Sequence, residues 1–242
     1  MPTSTATILT HRSGAAMVIT LNRPEAINSL SLEMVRAIDA ALREAAADSA
    51  CRFILVRGSG GRGFCAGGDI RDIAEKVRAG RHDDAMVFFR EEYRLDLAIH
   101  RFPKPIIVLA DGICMGGGLG LAAGAAVVFA TERTRMAMLE TRIGFFPDIG
   151  ATGWMHAKCP PGYPEYLGLV GHEIAGTQCL RLGFAHRFME SSRLDALTEA
   201  LLSIPGESFI SGENHLHVIH RAMEPLTVSM VPAEPEIGRA HV

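Results

Sequence analysis

Two carboxylates, Glu140 and Asp148, stand in residues 136–150, MAMLETRIGFFPDIG, a run otherwise dominated by apolar residues and broken by glycine and proline. Burial disfavours the charged form of an acid, so a carboxyl in such surroundings has its proton affinity raised. An acid tuned in this way can take or give a proton near neutral pH. Ile143, Phe145 and Phe146 would supply the apolar wall. The plainer alternative is that both acids cap helices, Asp148 serving one that starts near Gly150. A third acid, Glu92, sits beside Glu91 in the run FFREEY. At helical spacing Phe88, Glu92 and Leu95 share a face, which turns Glu92 inward and Glu91 outward. A buried acid needs a partner, and a substrate hydroxyl would serve.

Two glycine-rich segments accompany these acids: GSGGRGFCAGGD at 58–69 and ICMGGGLGLAAGA at 113–125. Each follows an apolar run and precedes a helical pattern, so strand, glycine loop and helix recur at 53–80 and 106–125. Glycine lets backbone approach a ligand closely, and a helix start leaves N–H groups unpaired. A GxGxxG pattern can be laid on 58–63, but no acid follows at the distance a dinucleotide site requires, and GK[ST] does not occur. Two loops aimed at one point would instead form an oxyanion hole, where losing one donor costs roughly 3–4 kcal/mol. The competing reading is that the glycines only permit tight strand–helix packing.

The elements that must position these groups can be read from period and punctuation. Two short strands, ATILTH and AAMVITLN, meet at a turn at Ser13-Gly14. Ser31 caps a helix running to Asp48, and 51–58 is a strand. Asp69 is placed to cap a helix at 70–79. A longer amphipathic helix spans 84–101 and is ended by Pro103 and Pro105. Strands follow at 105–112 and 126–131, then short helices near 150–158, 162–169 and 173–181, a strand-like FAHRFM, and a helix at 193–204. Alternating strands and helices predict an α/β domain with a mixed or parallel sheet.

Composition bounds the function. The chain has 242 residues, 48% hydrophobic residues, a net charge of −3 and a pI near 6.4. No basic stripe points to nucleic acid or to a membrane surface, and no apolar run is long enough to span a bilayer. Five cysteines without a CxxC pair suit a reducing compartment. The first residues lack the pattern of a secretion signal, so a bacterial cytoplasm or the mitochondrial matrix is expected. Cys65 and Cys114 read as small packing residues, and Trp154 as a core or pocket wall. His215, His217 and His220 lack acids or cysteines at ligand spacing, so no metal is expected.

Four blocks, in order, carry a resemblance: LNRPEAINSL, GFCAGGDI, KPIIVLADGICMGGGLGLA and the run LETRIGFFPDIG at 139–150. Together they resemble the crotonase (enoyl-CoA hydratase/isomerase) superfamily over about residues 5–200. The resemblance implies a crotonase-like ββα spiral with short helices completing the site. It also implies that the backbone N–H groups of Gly68 and Gly117 hold the thioester oxygen of an acyl-CoA. The hydratases of this family use two glutamates. Here Gly120 stands at the first position and Glu140 at the second, so one acid/base group is missing.

FFREEY, MGGG and the run around Asp148 resemble more closely the 3-hydroxyisobutyryl-CoA hydrolase subgroup. That subgroup's functional acids match Glu92, Glu140 and Asp148. Implied, then, is hydrolysis of a short branched hydroxyacyl-CoA, as in valine catabolism. Glu140 and Asp148 would be catalytic, and Glu92, Gly117, Glu140 and Asp148 would bind substrate. Coenzyme A is part of the substrate, and no further cofactor is expected. An acyl-CoA is the expected partner, with self-association open. Arg71 and Lys104 are candidates to meet CoA phosphates. The alternatives are an enoyl-CoA hydratase or isomerase, and an inactive acyl-CoA-binding subunit.

The crotonase-like unit is expected to cover 1–205. The remainder, 206–242, is rich in Pro, His and Glu, and is expected to be poorly packed or artefactual. Its last seven residues, EIGRAHV, match what a sequencing-adapter oligonucleotide would encode, and the natural chain is expected to continue. A genomic clone encoding the same seven residues would remove that expectation.

Overall fold

A computed structural model describes residues 6–209 and 214–226. The chain opens with an antiparallel hairpin, β1 (Ile8–Ser13) and β2 (Ala16–Leu21), turned at Gly14. The helix α1 (Leu32–Ala47) begins where Ser31 Oγ accepts from Met34 N at 3.2 Å. There follow β3 (Phe53–Gly58), β4 (Gly63–Cys65), α2 (Ile70–Arg78), α3 (His82–His100), β5 (Ile106–Ala110), β6 (Ile113–Met115) and α4 (Gly117–Ala123). Next come β7 (Val127–Ala130), β8 (Arg135–Ala137) and a 3-10 turn at Glu140–Ile143. The chain continues through α5 (Ala151–Lys158), α6 (Tyr163–Val170), β9 (Ile174–Ala175), α7 (Gln178–Arg181), β10 (Arg187–Phe188), α8 (Leu194–Leu202) and α9 (His215–Met223).

Among the described residues the strands form two sheets. The larger has the order β1-β2-β3-β5-β7-β10 and is parallel beyond the first hairpin. The smaller has the order β4-β6-β8-β9 and is parallel except at its last pair. Each turn of the chain therefore lays one long strand in the first sheet and one short strand in the second, then returns through helix. This is the expected ββα spiral.

Alternation along the large sheet sets what lies on each face. Met17, Ile19, Ile54, Val56, Ile106, Val108 and Val128 point into a core shared with α1, α3, α4 and the second sheet. Val18, Phe53, Leu55, Ile107, Leu109, Val127 and Phe129 point the other way, into a second core. A parallel sheet buried on both faces reads as continuous apolar runs, as these strands do.

The second core corrects the expected loose tail. Phe209, Val218, Ile219 and Met223 are buried in it beside Leu197 and Leu201 of α8. The apolar face of α9 covers the sheet, so packing extends through this helix; residues 227–242 lie outside the described ones. The expected helix at 173–181 is also corrected. Residues 174–175 form β9, and only 178–181 are α-helical.

Ile219 is fully buried. Ile219→Ala should lower the unfolding free energy by about 2–5 kcal/mol in a urea titration. A loss below about 0.5 kcal/mol would mean that the helix does not belong to the folded core.

Candidate active site

The two glycine loops meet at the corners where β4 runs toward α2 and β6 runs into α4. The first corner is held by the segment after β2. Leu30 N donates to Gly67 O at 2.8 Å, Asp69 N to Leu30 O at 2.9 Å, and Ala66 N to Ile27 O at 3.0 Å. In that ladder Gly68 faces away from Leu30, which leaves its own N–H on the opposite side. The conformation of LNRPEAINSL explains its residue types. Asn28 is buried with φ 55°, accepts from Arg23 N at 2.9 Å, and donates to Ser59 O and Gly63 O at 3.1 and 3.0 Å. Arg23 bonds Asp69 at 2.9 Å. Asp69 also caps α2, accepting from Asp72 N at 3.3 Å.

The second corner turns at Gly116, with φ 47° and ψ −122°, where L side chains are strained. Gly116 N donates to Ala137 O at 3.2 Å, which ties the corner to β8. Gly117 is the first helical residue of α4. A Cβ on it would lie 3.3 Å from Gly68 N and would collide with Glu92 Oε1. The two corners thus touch through backbone.

A cavity of about 430 Å³ opens there, lined by Gly68, Gly117, Glu92, Glu140 and Asp148 together with Ala66, Phe88, Phe89, Phe145 and others. The three acids and the two oxyanion-hole glycines expected from the sequence all line this one cavity. Glu92 is 3% exposed, on the face of α3 shared with Phe88 and Leu95. Glu91 points outward and pairs with Arg36 at 2.7 Å. Glu140 opens the 3-10 turn, closed by Phe145 N donating to Glu140 O at 2.9 Å. Asp148 accepts a hydrogen bond from Tyr93 Oη at 2.7 Å. Neither acid's side chain caps a helix: the turn at 140–143 and α5 both begin without a side-chain cap.

The walls differ from expectation in part. Phe145 lines the cavity and stacks on Phe89 at 5.5 Å, but Phe146 is 60% exposed. Ile143 lines the cavity while remaining mostly exposed. Trp154 borders a different cavity and packs edge-on against Phe184. Lys104 is committed elsewhere, donating to Ala45 O and Asp48 O at 2.5 and 2.8 Å at the end of α1. Arg71 is exposed on α2, the helix whose Ile70 and Ile73 line the cavity. Cys65 and Cys114 are fully buried neighbours across β4 and β6, and burial pushes the Cys65 thiol up to about 12.

Among the described residues no cation forms an ion pair with Glu92, Glu140 or Asp148. Burial pushes the Glu140 carboxyl up to about 7, with Asp148 adding to the rise. Burial likewise raises Asp148, against the lowering effect of the Tyr93 hydrogen bond. Glu92 is raised well above the carboxylate range, first by burial and then by neighbouring acids. Such an arrangement can polarise a carbonyl through two N–H groups and place proton-transfer groups beside it.

Two residues beside the site, both lining the neighbouring cavity that Trp154 borders, were not singled out from the sequence. Tyr93, next to Glu92, holds Asp148. Asp96, one turn beyond Glu92, packs against Gly120: a Cβ at 120 would lie 2.6 Å from Asp96 Oδ1. The i, i+4 spacing from Glu92 was the available signal.

The spiral with its glycine-cornered cavity is a crotonase-type fold. It superposes on a carnitinyl-CoA dehydratase from Mycobacterium thermoresistibile with a TM-score of 0.84 and 33% identity, covering 96% of this chain and 63% of that one. With an enoyl-CoA hydratase from Rhodobacter sphaeroides 2.4.1 the TM-score is 0.79 at 35% identity, covering 91% and 66%. The enoyl-CoA hydratase/isomerase family model matches residues 16–237, and the chain belongs to that family. It is 42% identical over 206 residues to the mitochondrial 3-hydroxyisobutyryl-CoA hydrolase of Rattus norvegicus, covering 85% of this chain and 53% of the relative. For the Homo sapiens protein of the same description the identity is 41% over 201 residues, covering 83% and 52%. The chain spans about half the length of these curated relatives.

The raised carboxyls give a signed pH dependence. Glu140 in the folded chain binds its proton up to about 7, against 4.5 for an ordinary glutamate. Over that window the folded state holds more protons than the unfolded state, so stability falls as pH rises. Glu140→Gln should reduce this slope in unfolding titrations between pH 4.5 and 7. An unchanged slope would show that the Glu140 carboxyl titrates normally.

Proposed function

We propose that this cavity hydrolyses the thioester of a short, branched hydroxyacyl-CoA of the 3-hydroxyisobutyryl-CoA type. The observation that carries the reading is the convergence of Glu140 and Asp148 with Gly68 and Gly117 on one cavity, while position 120 has no side chain. Addition of water across a double bond would use a second glutamate at 120. Hydrolysis of a thioester needs a polarised carbonyl and one carboxylate pair.

In this mechanism the thioester oxygen sits between the N–H groups of Gly68 and Gly117, which stabilise the charge it acquires. Glu140, with a proton affinity near neutrality, removes a proton from water as the water oxygen attacks the carbonyl carbon. The C–S bond then breaks, and the thiolate of CoA takes up a proton. In the alternative route Glu140 itself attacks the carbonyl carbon, the C–S bond breaks to release the CoA thiolate, which takes up a proton, and the mixed anhydride left is opened by water with Asp148 as base. In both routes the Tyr93 hydrogen bond fixes the Asp148 carboxylate. Glu92 is placed to hydrogen-bond the substrate. The acid released is a branched hydroxy acid of the kind that valine catabolism produces. The same reading puts the protein in the mitochondrial matrix or a bacterial cytoplasm.

Release of CoA thiol from 3-hydroxyisobutyryl-CoA, followed with a thiol reagent, tests this. Glu140→Gln and Asp148→Asn should each lower the rate by about 10²–10⁴-fold. Hydration of crotonyl-CoA without thiol release would favour a hydratase. Equally low release from the wild type and both variants would favour an acyl-CoA binder.

A further inference from the structure

Two cavities stand back to back in this chain. One is the 430 Å³ cavity described above; the other holds about 490 Å³, and each is of a size that takes a small ligand. Among the described residues none lines both, yet the two linings continue one another along the same three segments. On α3, Phe89 and Glu92 line the first cavity, and Tyr93 and Asp96 line the second. On α4 the division falls between Gly117 and Gly120, and before α5 it falls between Asp148 and Ile149.

Two contacts close the seam. Between α3 and α4 the Asp96 carboxyl fills the space left at Gly120, where a Cβ would lie 2.6 Å from Asp96 Oδ1. Between α3 and the segment before α5, Tyr93 Oη donates to Asp148 Oδ2 at 2.7 Å. The backbone is bent to make the second contact. Ile149 has φ 48°, a left-handed conformation that strains a β-branched residue. The bend gives the Asp148 side chain to the first cavity and buries Ile149 against the second. The Tyr93 ring packs on Phe89 at 6.1 Å, and Phe89 stacks in turn on Phe145.

The second cavity suits hydrocarbon. Leu97, Ala123, Ile149, Trp154 and Ala157 line it. Most of its polar atoms are occupied or buried: Lys158 Nζ donates to Ala123 O at 2.6 Å, and both Asp96 oxygens and Trp154 Nε1 are shielded from solvent.

We propose that Tyr93, pinned by its hydroxyl to Asp148, is a specificity-determining residue that ends the acyl cavity and so restricts the enzyme to short acyl groups. The proposal deepens the thioester reading and rests on it for the nature of the ligand. With the thioester oxygen at Gly68 and Gly117, and Glu140 and Asp148 beside the carbonyl, an acyl chain that continues past Asp148 meets the Tyr93 ring. A short branched acyl group stops before that ring. A longer chain has to displace it, and the apolar space it would then enter is the second cavity.

The test compares 3-hydroxybutanoyl-CoA with 3-hydroxyoctanoyl-CoA, which share their reacting end and differ in length. Specificity is read as the ratio of the two kcat/KM values, so a general loss from freeing Asp148 cancels. Tyr93 is 36% exposed, so truncating it opens no void in the core. In thiol-release assays the wild type should favour the shorter substrate by about a hundredfold or more, and Tyr93→Ala should move the ratio toward the longer one by about 10–100-fold. Tyr93→Leu serves in its place should the alanine variant fold poorly. Gly153 lines the second cavity from α5, and a Cβ there would meet nothing within 4 Å, so Gly153→Phe can fill that space. Alone it should leave hydrolysis of the shorter substrate unchanged; added to Tyr93→Ala it should cancel the gain. Calorimetric titration with S-butyl-CoA and S-octyl-CoA, thioethers that cannot be hydrolysed, reads the wall apart from the chemistry. Tyr93→Ala should tighten S-octyl-CoA relative to S-butyl-CoA by about tenfold or more. A wild type that accepts both lengths equally, a ratio unmoved in Tyr93→Ala, or a gain that survives Gly153→Phe overturns the proposal. A wild type that releases no thiol, with the thioether change still present in Tyr93→Ala, would support the wall and refute the hydrolase reading alone.

Discussion

The structure depends on two backbone corners being allowed to touch. Gly67–Gly68 and Gly116–Gly117 approach so closely that a Cβ on Gly117 would strike Glu92 and crowd Gly68 N. Backbone alone fills the space between the strand ends and the cavity. Two N–H groups from distant parts of the sequence can then serve one small volume. Much of what surrounds the corners keeps them there. Asn28 and Arg23 brace the first through buried hydrogen bonds, and the short second sheet fixes the second against β8.

The cost of the arrangement is electrostatic. Glu92, Asp96, Glu140 and Asp148 are gathered without a cation paired to any of them among the described residues. In a low-dielectric site such a group cannot ionise fully, and its members are driven toward the protonated form. That destabilises the folded chain at higher pH and supplies proton-transfer groups near neutrality. A stable scaffold is needed to hold it. The large sheet, covered on both faces, provides one, with α8 and α9 sealing the face away from the site.

Glycine at 120 distinguishes this chain from a hydratase pattern with an acid there. The space is not left open: the carboxyl of Asp96 enters it from α3. An acid is thus present near the same point, but carried by another helix. Changing which element carries a charge alters its partners, even where the number of charges is similar.

The sequence by itself settled the elements with strong period or punctuation. Ser31 starting α1, the inward phase of Glu92 on α3 and the apolar runs of β2, β3, β5 and β7 are all local properties, set by side-chain spacing over a few residues. So was the pairing of glycine loops with acids. The second sheet was not legible, because β4, β6, β8 and β9 are two or three residues long and gain their hydrogen bonds only from strands far along the chain. The tail misled for a related reason: α9 is short, and its apolar face makes sense only against the second face of the sheet. The convergence of Gly68, Gly117, Glu92, Glu140 and Asp148, and the wedging of Asp96 over Gly120, were decided by tertiary structure. Contact between residues from separate elements depends on how helices and sheets pack, and no local pattern encodes that.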